Sequence, residues 1–250
     1  MKVLILGANG MLGPWVSKVL SHHEIIETDL EKIPSNINYH KIDISNTKDV
    51  LKVSEGVDAI INLSVLRTDR KLAFDVNTLG NYNMMLAAET HKIPRIINTG
   101  PHFQIAGPTY EDFDFELNPD MPPQPGVNLY ALSKSLGQEI CNQFSRKNDF
   151  IFLQTLLFYT FYDENYIRAA ENTPQPSGTD PSPFSVTWTD AAEAIKLALE
   201  IDLKKLPTRS ESYFINSNLP HNKFSNKKAT RILGWNPTKD FEELWNRKNK

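Results

Sequence analysis

Short apolar runs alternate along the chain with longer segments whose apolar residues recur every three or four positions. The runs predict strands at residues 3–6, 24–27, 39–42, 59–63, 95–98 and 151–155. The three- to four-residue period of apolar positions in the longer segments predicts helices at residues 10–20, 48–53, 75–91 and 129–146. Strands that alternate with helices in this way form a parallel sheet with helices on both faces. The pattern therefore predicts an α/β protein built on a doubly wound parallel sheet.

The pattern changes after residue 159. A segment rich in Pro, Ser, Gly and Thr follows, and beyond it the spacing predicts two more helices, at residues 188–201 and 226–233. The second of these is followed by a glycine, which is typical of a helix end. We expect one domain over residues 1–250, in which residues 159–250 contribute a small part that covers the substrate.

Three glycines follow the first predicted strand at fixed spacing: Gly7, Gly10 and Gly13. A glycine allows a sharp turn at the first position, close approach of a phosphate at the second, and packing of the next helix on the strand at the third. The free N–H groups at the start of that helix attract an anion. The loop predicts a dinucleotide-binding Rossmann fold with the pyrophosphate beside it, and its residues Asn9, Met11 and Leu12 are further candidate contacts.

An acidic residue, Asp29, ends the second predicted strand, about 20 residues after the glycines. A carboxylate at this position accepts hydrogen bonds from the ribose hydroxyls of the adenosine. It also repels the 2′-phosphate of NADP, and no arginine stands between Gly7 and Gly13 to receive that phosphate. We therefore expect NAD as the cofactor. The alternative is an ordinary turn followed by a solvated charge.

Composition narrows the classes of partner. The net charge is −3 and the isoelectric point is about 6.1, so nothing indicates nucleic-acid binding. No apolar run approaches the ~20 residues of a membrane-spanning helix. The one cysteine, Cys141, is expected to be buried in a helix, in keeping with a reducing cytoplasm. The six histidines show no metal-ligand spacing, and we predict no metal site.

A tyrosine and a lysine lie four residues apart in the predicted helix 129–146. Tyr130 and Lys134 therefore emerge on one face of that helix. A phenol with a pKa near 10 is a poor base at neutral pH, and an adjacent ammonium group lowers that pKa toward the working range. The pair predicts acid–base catalysis with Tyr130 as the base and Lys134 as its partner.

Taken together, these motifs resemble an extended short-chain dehydrogenase/reductase of the NAD-dependent epimerase/dehydratase family. The resemblance covers nearly the whole chain and includes the segments VNTLGNYNMMLAAE, VTWTDAAEAI and LGWNP. It implies that NAD is also contacted near the adenine, at the end of the fourth strand and near the nicotinamide. The residues at these three places are Asp43 and Ile44; Leu63, Ser64 and Val65; and Asn77.

Within that family the compact chain most resembles the uronate dehydrogenases. This resemblance implies oxidation of a sugar acid to a lactone, with a tyrosine as base. Arg168, in the segment NYIR, would then bind the substrate carboxylate through two parallel hydrogen bonds. The alternative is that Arg168 is a charge on the exposed face of a helix. The resemblance also suggests a homodimer formed through the helices 75–91 and 129–146.

One departure from the family is the missing serine after the fifth strand. In the family its hydroxyl holds the reacting oxygen, and here that position falls on Gly100 or Pro101. Thr99 and His102 are the candidate donors in its place. The alternatives are a threonine bonded to nearby backbone and a solvated loop histidine. Two other functions remain open: a sugar epimerase or dehydratase, and an NAD-binding regulatory protein without turnover.

Overall fold

Nine parallel strands lie in the part of the chain that the structure describes. This computed structural model describes residues 1–31, 38–105, 116–162, 184–218 and 223–239. Seven of the strands form one sheet and two form a small ribbon. The strands are β1 Lys2–Leu6, β2 Glu24–Asp29, β3 Tyr39–Lys41, β4 Ala59–Asn62, β5 Arg95–Pro101, β6 Phe152–Phe158, β7 Thr160–Tyr162, β8 Ser185–Thr187 and β9 Ser210–Phe214.

The order of the large sheet is β3-β2-β1-β4-β5-β6-β9, and all of its pairings are parallel. The chain moves from β1 outward in one direction through β2 and β3, and then returns to add β4 on the other side of β1. This is the doubly wound Rossmann arrangement, which confirms the predicted fold class. The change of direction opens a crevice at the carboxyl ends of β1 and β4, where such folds bind ligands.

Helices cover both faces of the sheet. They are α1 Gly13–Val19, α2 Thr47–Val53, α3 Arg70–Phe74, α4 Gly80–His91, α5 Leu129–Lys147, α6 Trp188–Glu200 and α7 Lys227–Leu233, with a π-helical turn at Asp75–Leu79 and 3₁₀ turns at His102–Gln104 and Leu203–Lys205. Within the described ranges, no helix is long and apolar enough to cross a bilayer.

The two faces of the sheet have separate cores. Val3 and Ile5 of β1 pack with α1 and α6, whereas Leu4 and Leu6 pack with α4 and α5. This alternation follows from the two-residue period of a strand. Burying one such side chain contributes about 1.5–3 kcal/mol. A strand buried on both faces reads as a continuous apolar run, which is why β1 could be predicted from sequence.

The helix predicted at residues 75–91 differs from the observed structure. Helical structure begins earlier, at Arg70, where the side chain of Asp69 accepts a hydrogen bond from the Leu72 N–H. The π-helical turn then separates α3 from α4. Turns of this type are rare and occur frequently at functional sites.

Strand β9 was missed because its pattern is broken by a buried carboxylate. Glu211 is 3% exposed, and its Oε2 lies 2.7 Å from Nζ of Lys228. An acidic residue inside a strand interrupts the run of apolar residues from which the strand would be predicted. The cation that pairs with Glu211 meets it only in the folded chain. Since β9 extends the main sheet, part of the segment after residue 159 belongs to the Rossmann core. The substrate-covering role of residues 159–250 stays a prediction, and residues 163–183 lie outside the described residues.

Candidate active site

The glycine-rich loop leaves the end of β1 with a backbone that side chains would obstruct. Gly7 has φ +80°, and a Cβ built on it would lie 2.7 Å from the Ser64 nitrogen. A Cβ on Gly13 would overlap the carbonyl oxygen of Ala8. Gly7 therefore allows β1 and the segment after β4 to approach closely, and Gly13 lets α1 pack onto the loop. The positive φ of Gly7 fits the predicted sharp turn, and the contact at Gly13 fits the predicted helix packing.

A cavity of about 360 Å³ extends from this loop toward β2 and β3. The carboxylate of Asp29 lines it: Oδ2 accepts from the Asn9 N–H at 3.0 Å and Oδ1 accepts from the Leu30 N–H at 2.7 Å. These bonds fix the carboxylate beside the loop, where it faces the space for a ribose. Other predicted cofactor contacts that line this cavity are Gly7, Gly10, Asp43, Ile44, Leu63, Ser64 and Val65.

A smaller cavity of about 90 Å³ continues the groove inward. It shares Gly7, Gly10, Leu63 and Val65 with the larger cavity. Among the predicted residues it is also lined by Met11, Leu12, Thr99, Tyr130 and Lys134. One groove therefore joins the glycine-rich loop to the Tyr130–Lys134 pair. A dinucleotide with its pyrophosphate beside the glycine-rich loop would have its reactive end toward Tyr130.

A cavity larger than this groove lies elsewhere in the described part of the chain. It has a volume of about 980 Å³ and lies between α5 and the residues around β9. Neither Tyr130 nor Lys134 lines it. The smaller groove is the better candidate because it combines the glycine cradle with the ionisable pair.

Lys134 is 2% exposed, and its ammonium group is held by backbone. Nζ donates to the carbonyl oxygens of Ser64 at 2.8 Å and Thr99 at 3.2 Å. Burial, together with the charge of Arg67, lowers the pKa of Lys134 to about 7. The amine therefore titrates near neutral pH and is fixed at the ends of β4 and β5.

The environment of Tyr130 corrects the sequence interpretation. Burial raises the pKa of the Tyr130 phenol, and the positive charge of Arg67 acts against this rise. The Arg67 guanidinium carbon lies 5.0 Å from the centre of the Tyr130 ring. The expected lowering of this pKa by Lys134 is therefore not what the structure shows. The sequence analysis missed Arg67 because it lies 63 positions before Tyr130, in a segment without a recognisable motif.

Neither candidate for the missing serine presents a free donor at Tyr130. The Thr99 hydroxyl donates to the Asn62 carbonyl at 2.9 Å. This agrees with the alternative in which Thr99 is bonded to nearby backbone. The ring of His102 is 2% exposed and lies 4.6 Å from the ring of Tyr159 and 4.3 Å from that of Phe224. Burial lowers the pKa of His102 to about 3, so the ring is neutral. The solvated-loop alternative is therefore wrong, and a substrate contact by His102 stays a prediction.

The glycine at the serine position has a near neighbour. A Cβ on Gly100 would lie 2.6 Å from Oε1 of Gln104 and 3.2 Å from Cδ2 of Leu157. A serine here would point toward these side chains and displace them. Arg168, the predicted carboxylate contact, lies outside the described residues.

Asn77 sits in the π-helical turn and lines neither of the two groove cavities. Its amide donates to the Leu66 carbonyl at 2.7 Å and to the Ser133 hydroxyl at 3.0 Å, and its oxygen accepts from the Leu66 N–H. Asn77 thus ties the segment after β4 to α5. This positions Arg67 relative to Tyr130, whereas the predicted contact of Asn77 with the cofactor stays a prediction.

The inner faces of α4 and α5 are more polar than their spacing suggested. Asn62 donates to Asn81 at 3.2 Å and to Asn98 at 3.1 Å, and Asn98 donates to Gln138 at 2.9 Å. Cys141 is buried, as expected, but its thiol donates to Asn81 at 3.3 Å. Burial raises the pKa of this thiol, which argues against a nucleophile. A satisfied buried network of this kind fixes the strands and helices that carry Lys134.

The histidine pair acquires a carboxylate in the folded chain. Nε2 of His22 lies 2.7 Å from Oε1 of Glu200, and Nε2 of His23 lies 3.1 Å from it. Nδ1 of His23 faces the Met1 ammonium group at 3.5 Å. Within the described ranges, the ligand atoms of His22, His23 and Glu200 all lie within 4.8 Å of one another. The absence of a metal site stays a prediction.

Comparison with known proteins agrees with this geometry. The profile of the NAD dependent epimerase/dehydratase family matches residues 3–166. GDP-mannose 3,5-epimerase of Arabidopsis thaliana is 24% identical over 166 residues, which are 58% of this chain and 43% of the plant protein. The chain thus aligns with less than half the length of that relative.

Two solved structures share the fold over almost the whole chain. Glucuronic acid dehydrogenase from Chromohalobacter salexigens superposes with a TM-score of 0.77 at 19% identity, covering 100% of this chain and 90% of the other. A mutant of uronate dehydrogenase from Agrobacterium tumefaciens in complex with NAD gives a TM-score of 0.73 at 21% identity, with 98% and 87% covered.

Proposed function

Because the chain belongs to the NAD dependent epimerase/dehydratase family, we propose that it is an NAD-dependent dehydrogenase that oxidises a sugar acid. The observation that carries this proposal is the single groove in which the glycine-rich loop and Asp29 lead to Tyr130 and Lys134. NAD is the cofactor of the family, and when bound it supplies a hydride acceptor. Tyr130, as the phenolate, would take the proton of the substrate hydroxyl, and Lys134 would hold the cofactor ribose.

The choice of a sugar acid rests on the fold neighbours, which include enzymes named for glucuronic acid and uronate. An epimerase is the first alternative, because the plant relative is one. A regulatory protein without turnover is the second, because Thr99 is bonded to backbone and the serine is missing. These three functions differ in what happens to NADH.

The test follows NADH absorbance with a panel of uronates, neutral aldoses and nucleotide sugars, and analyses the sugars for isomers. Net NADH with a uronate supports the proposal. A new isomer without net NADH identifies an epimerase. NAD binding without either product supports the regulatory alternative and overturns the proposal.

Replacing Asp29 should change cofactor preference. We expect the wild-type chain to bind NAD at least tenfold more tightly than NADP. The 2′-phosphate of NADP removes a ribose hydroxyl that would donate to Asp29, and loss of such a charge-assisted hydrogen bond costs about 1.5–3 kcal/mol. Asp29→Ala should weaken NAD binding and narrow the gap, as measured by fluorescence titration. Asp49→Ala removes a surface carboxylate on α2 and serves as the control. Equal affinities for both cofactors in the wild-type chain would exclude the proposed role of Asp29.

We also propose that the chain forms a homodimer through α4 and α5 and the π-helical turn. Leu79, Tyr82 and Leu136 are 42%, 44% and 44% exposed on these elements, which makes an apolar surface for a second copy. Leu136→Glu should shift the mass measured by light scattering from dimer to monomer. Val127→Glu, on the loop before α5, should leave the mass unchanged. A monomeric wild-type chain would contradict the proposal.

A further inference from the structure

The smaller cavity beside Tyr130 contains few side chains that could donate a hydrogen bond to a substrate oxygen. A hydroxyl that becomes a carbonyl needs a partner for its oxygen besides the base, and the family serine that would serve is absent. The hydroxyl of Thr99 is bonded to Asn62, and the ammonium of Lys134 is bonded to two carbonyls. Among the described residues that line this cavity, Arg67 and Tyr159 are the other polar side chains besides Tyr130.

Arg67 is the better placed of these two. Its guanidinium carbon lies over the Tyr130 ring, 5.0 Å from the ring centre, and its positive charge acts to lower the pKa of the phenol. The Asn77 amide fixes the preceding residue, Leu66, through both its N–H and its carbonyl. Tyr159, in contrast, packs edge-on against Phe103 and Phe184. The backbone that carries Arg67 is therefore held in a defined position relative to α5.

We propose that Arg67 replaces the missing serine, donating hydrogen bonds both to the Tyr130 oxygen and to the reacting oxygen of the substrate. A guanidinium has five N–H donors in a rigid plane, so it can serve two oxygens at once. This inference rests on the proposed dehydrogenase function. Arg67 stays protonated throughout. The Tyr130 phenolate would take the proton of the substrate hydroxyl and become a neutral phenol, and bound NAD⁺ would supply the acceptor for the hydride that leaves the same carbon as it becomes a carbonyl.

The kinetic test compares Arg67→Met and Arg67→Lys with the wild-type chain. Loss of one such donor typically lowers the rate by a factor on the order of 10² to 10³. We expect Arg67→Met to lower kcat by that factor with a smaller change in KM, because the donor acts on charge that develops in the transition state. Arg67→Lys keeps the charge without the planar fork and should fall between. Arg70→Met removes a nearby exposed arginine at the start of α3 and should keep the wild-type rate.

A second readout needs neither cofactor nor substrate. Ionisation of the Tyr130 phenol is followed in the free protein by absorbance near 295 nm, with Tyr130→Phe subtracted. Arg67 is the charged group that acts on this phenol, and Lys134 is the next ionisable group in the cavity. Arg67→Met should move the phenol midpoint to higher pH, and Arg70→Met should not. If Arg67 only supports the fold, its replacement should leave the midpoint pH of the Tyr130 phenol unchanged.

The outcomes separate this inference from the proposed function. If the wild-type chain turns over no sugar, the proposed function fails and the donor role of Arg67 fails with it. If the wild-type chain is active but Arg67→Met keeps its kcat, the inference is overturned and the dehydrogenase stands. An unchanged phenol midpoint in Arg67→Met overturns the contact with Tyr130, whatever the kinetics show.

Discussion

Tyr130→Phe is expected to lower kcat by a factor on the order of 10² to 10⁴, the range that a positioned acid–base group contributes. The substitution removes a single oxygen from the inner end of the groove. Without that oxygen the substrate hydroxyl has no acceptor for its proton. NAD affinity should stay close to that of the wild-type chain, because the phosphates and the adenosine ribose are held by the glycine-rich loop and Asp29.

The measurement combines NADH formation with a separate NAD titration of both proteins. Tyr159→Phe is the matched control, because Tyr159 lines the same cavity and its hydroxyl has no assigned role in the proposed reaction. Wild-type turnover in Tyr130→Phe would refute the dehydrogenase mechanism, although the family assignment would remain. Loss of NAD binding in this variant would instead show that the phenol holds the cofactor.

Lys134→Met is expected to act in opposite directions on function and stability. It should lower both kcat and NAD affinity, because the proposed contact with the cofactor ribose is lost. It should also raise the free energy of unfolding at pH 7, by on the order of 2 kcal/mol. Removing a buried charge is stabilising, whereas loss of two hydrogen bonds to carbonyls offsets part of the gain. A functional residue held at a cost to stability is common at active sites.

The pH dependence identifies the cause. The pKa of Lys134 is lowered from 10.5 to about 7 in the folded chain. Between these values the unfolded chain carries a proton that the folded chain has released, so the unfolding free energy of the wild type rises with pH across this window. The gain in unfolding free energy of Lys134→Met over the wild type should therefore be complete below about pH 7 and should decrease toward pH 10.5.

Urea unfolding at several pH values tests this expectation. Lys147→Met on the same helix is the control, because its ammonium group is exposed and pairs with Glu89 at the surface. It should change stability little and without this pH dependence, as surface pairs contribute about 0–1 kcal/mol. A destabilised Lys134→Met at pH 7 would mean that the bonds to Ser64 and Thr99 outweigh the burial of charge.

Local patterns were enough to predict six of the seven strands of the main sheet, the glycine-rich loop with Asp29, and the Tyr130–Lys134 pair. Apolar runs located the strands up to β6, since a strand buried on both faces needs little else. The glycines and Asp29 could be placed because their roles depend on backbone conformation and on short distances along the chain. Tyr130 and Lys134 could be paired because a helix brings positions four apart onto one face.

What each of these groups contacts was decided by the tertiary structure. Arg67, in the segment after β4, lies over the Tyr130 ring, and Asn77 ties the neighbouring Leu66 to α5. The ring of His102, interpreted as a loop side chain, is enclosed by aromatic rings from distant parts of the chain.

The sequence by itself thus determined the fold class, the family, the cofactor and the candidate base of this protein. Only the tertiary structure decided which cation faces the phenol, which donors are already bonded to backbone, and that β9 completes the sheet. The reason is physical: periodicity and loop geometry act over a few residues, whereas burial and pairing of polar groups depend on segments that meet only after folding.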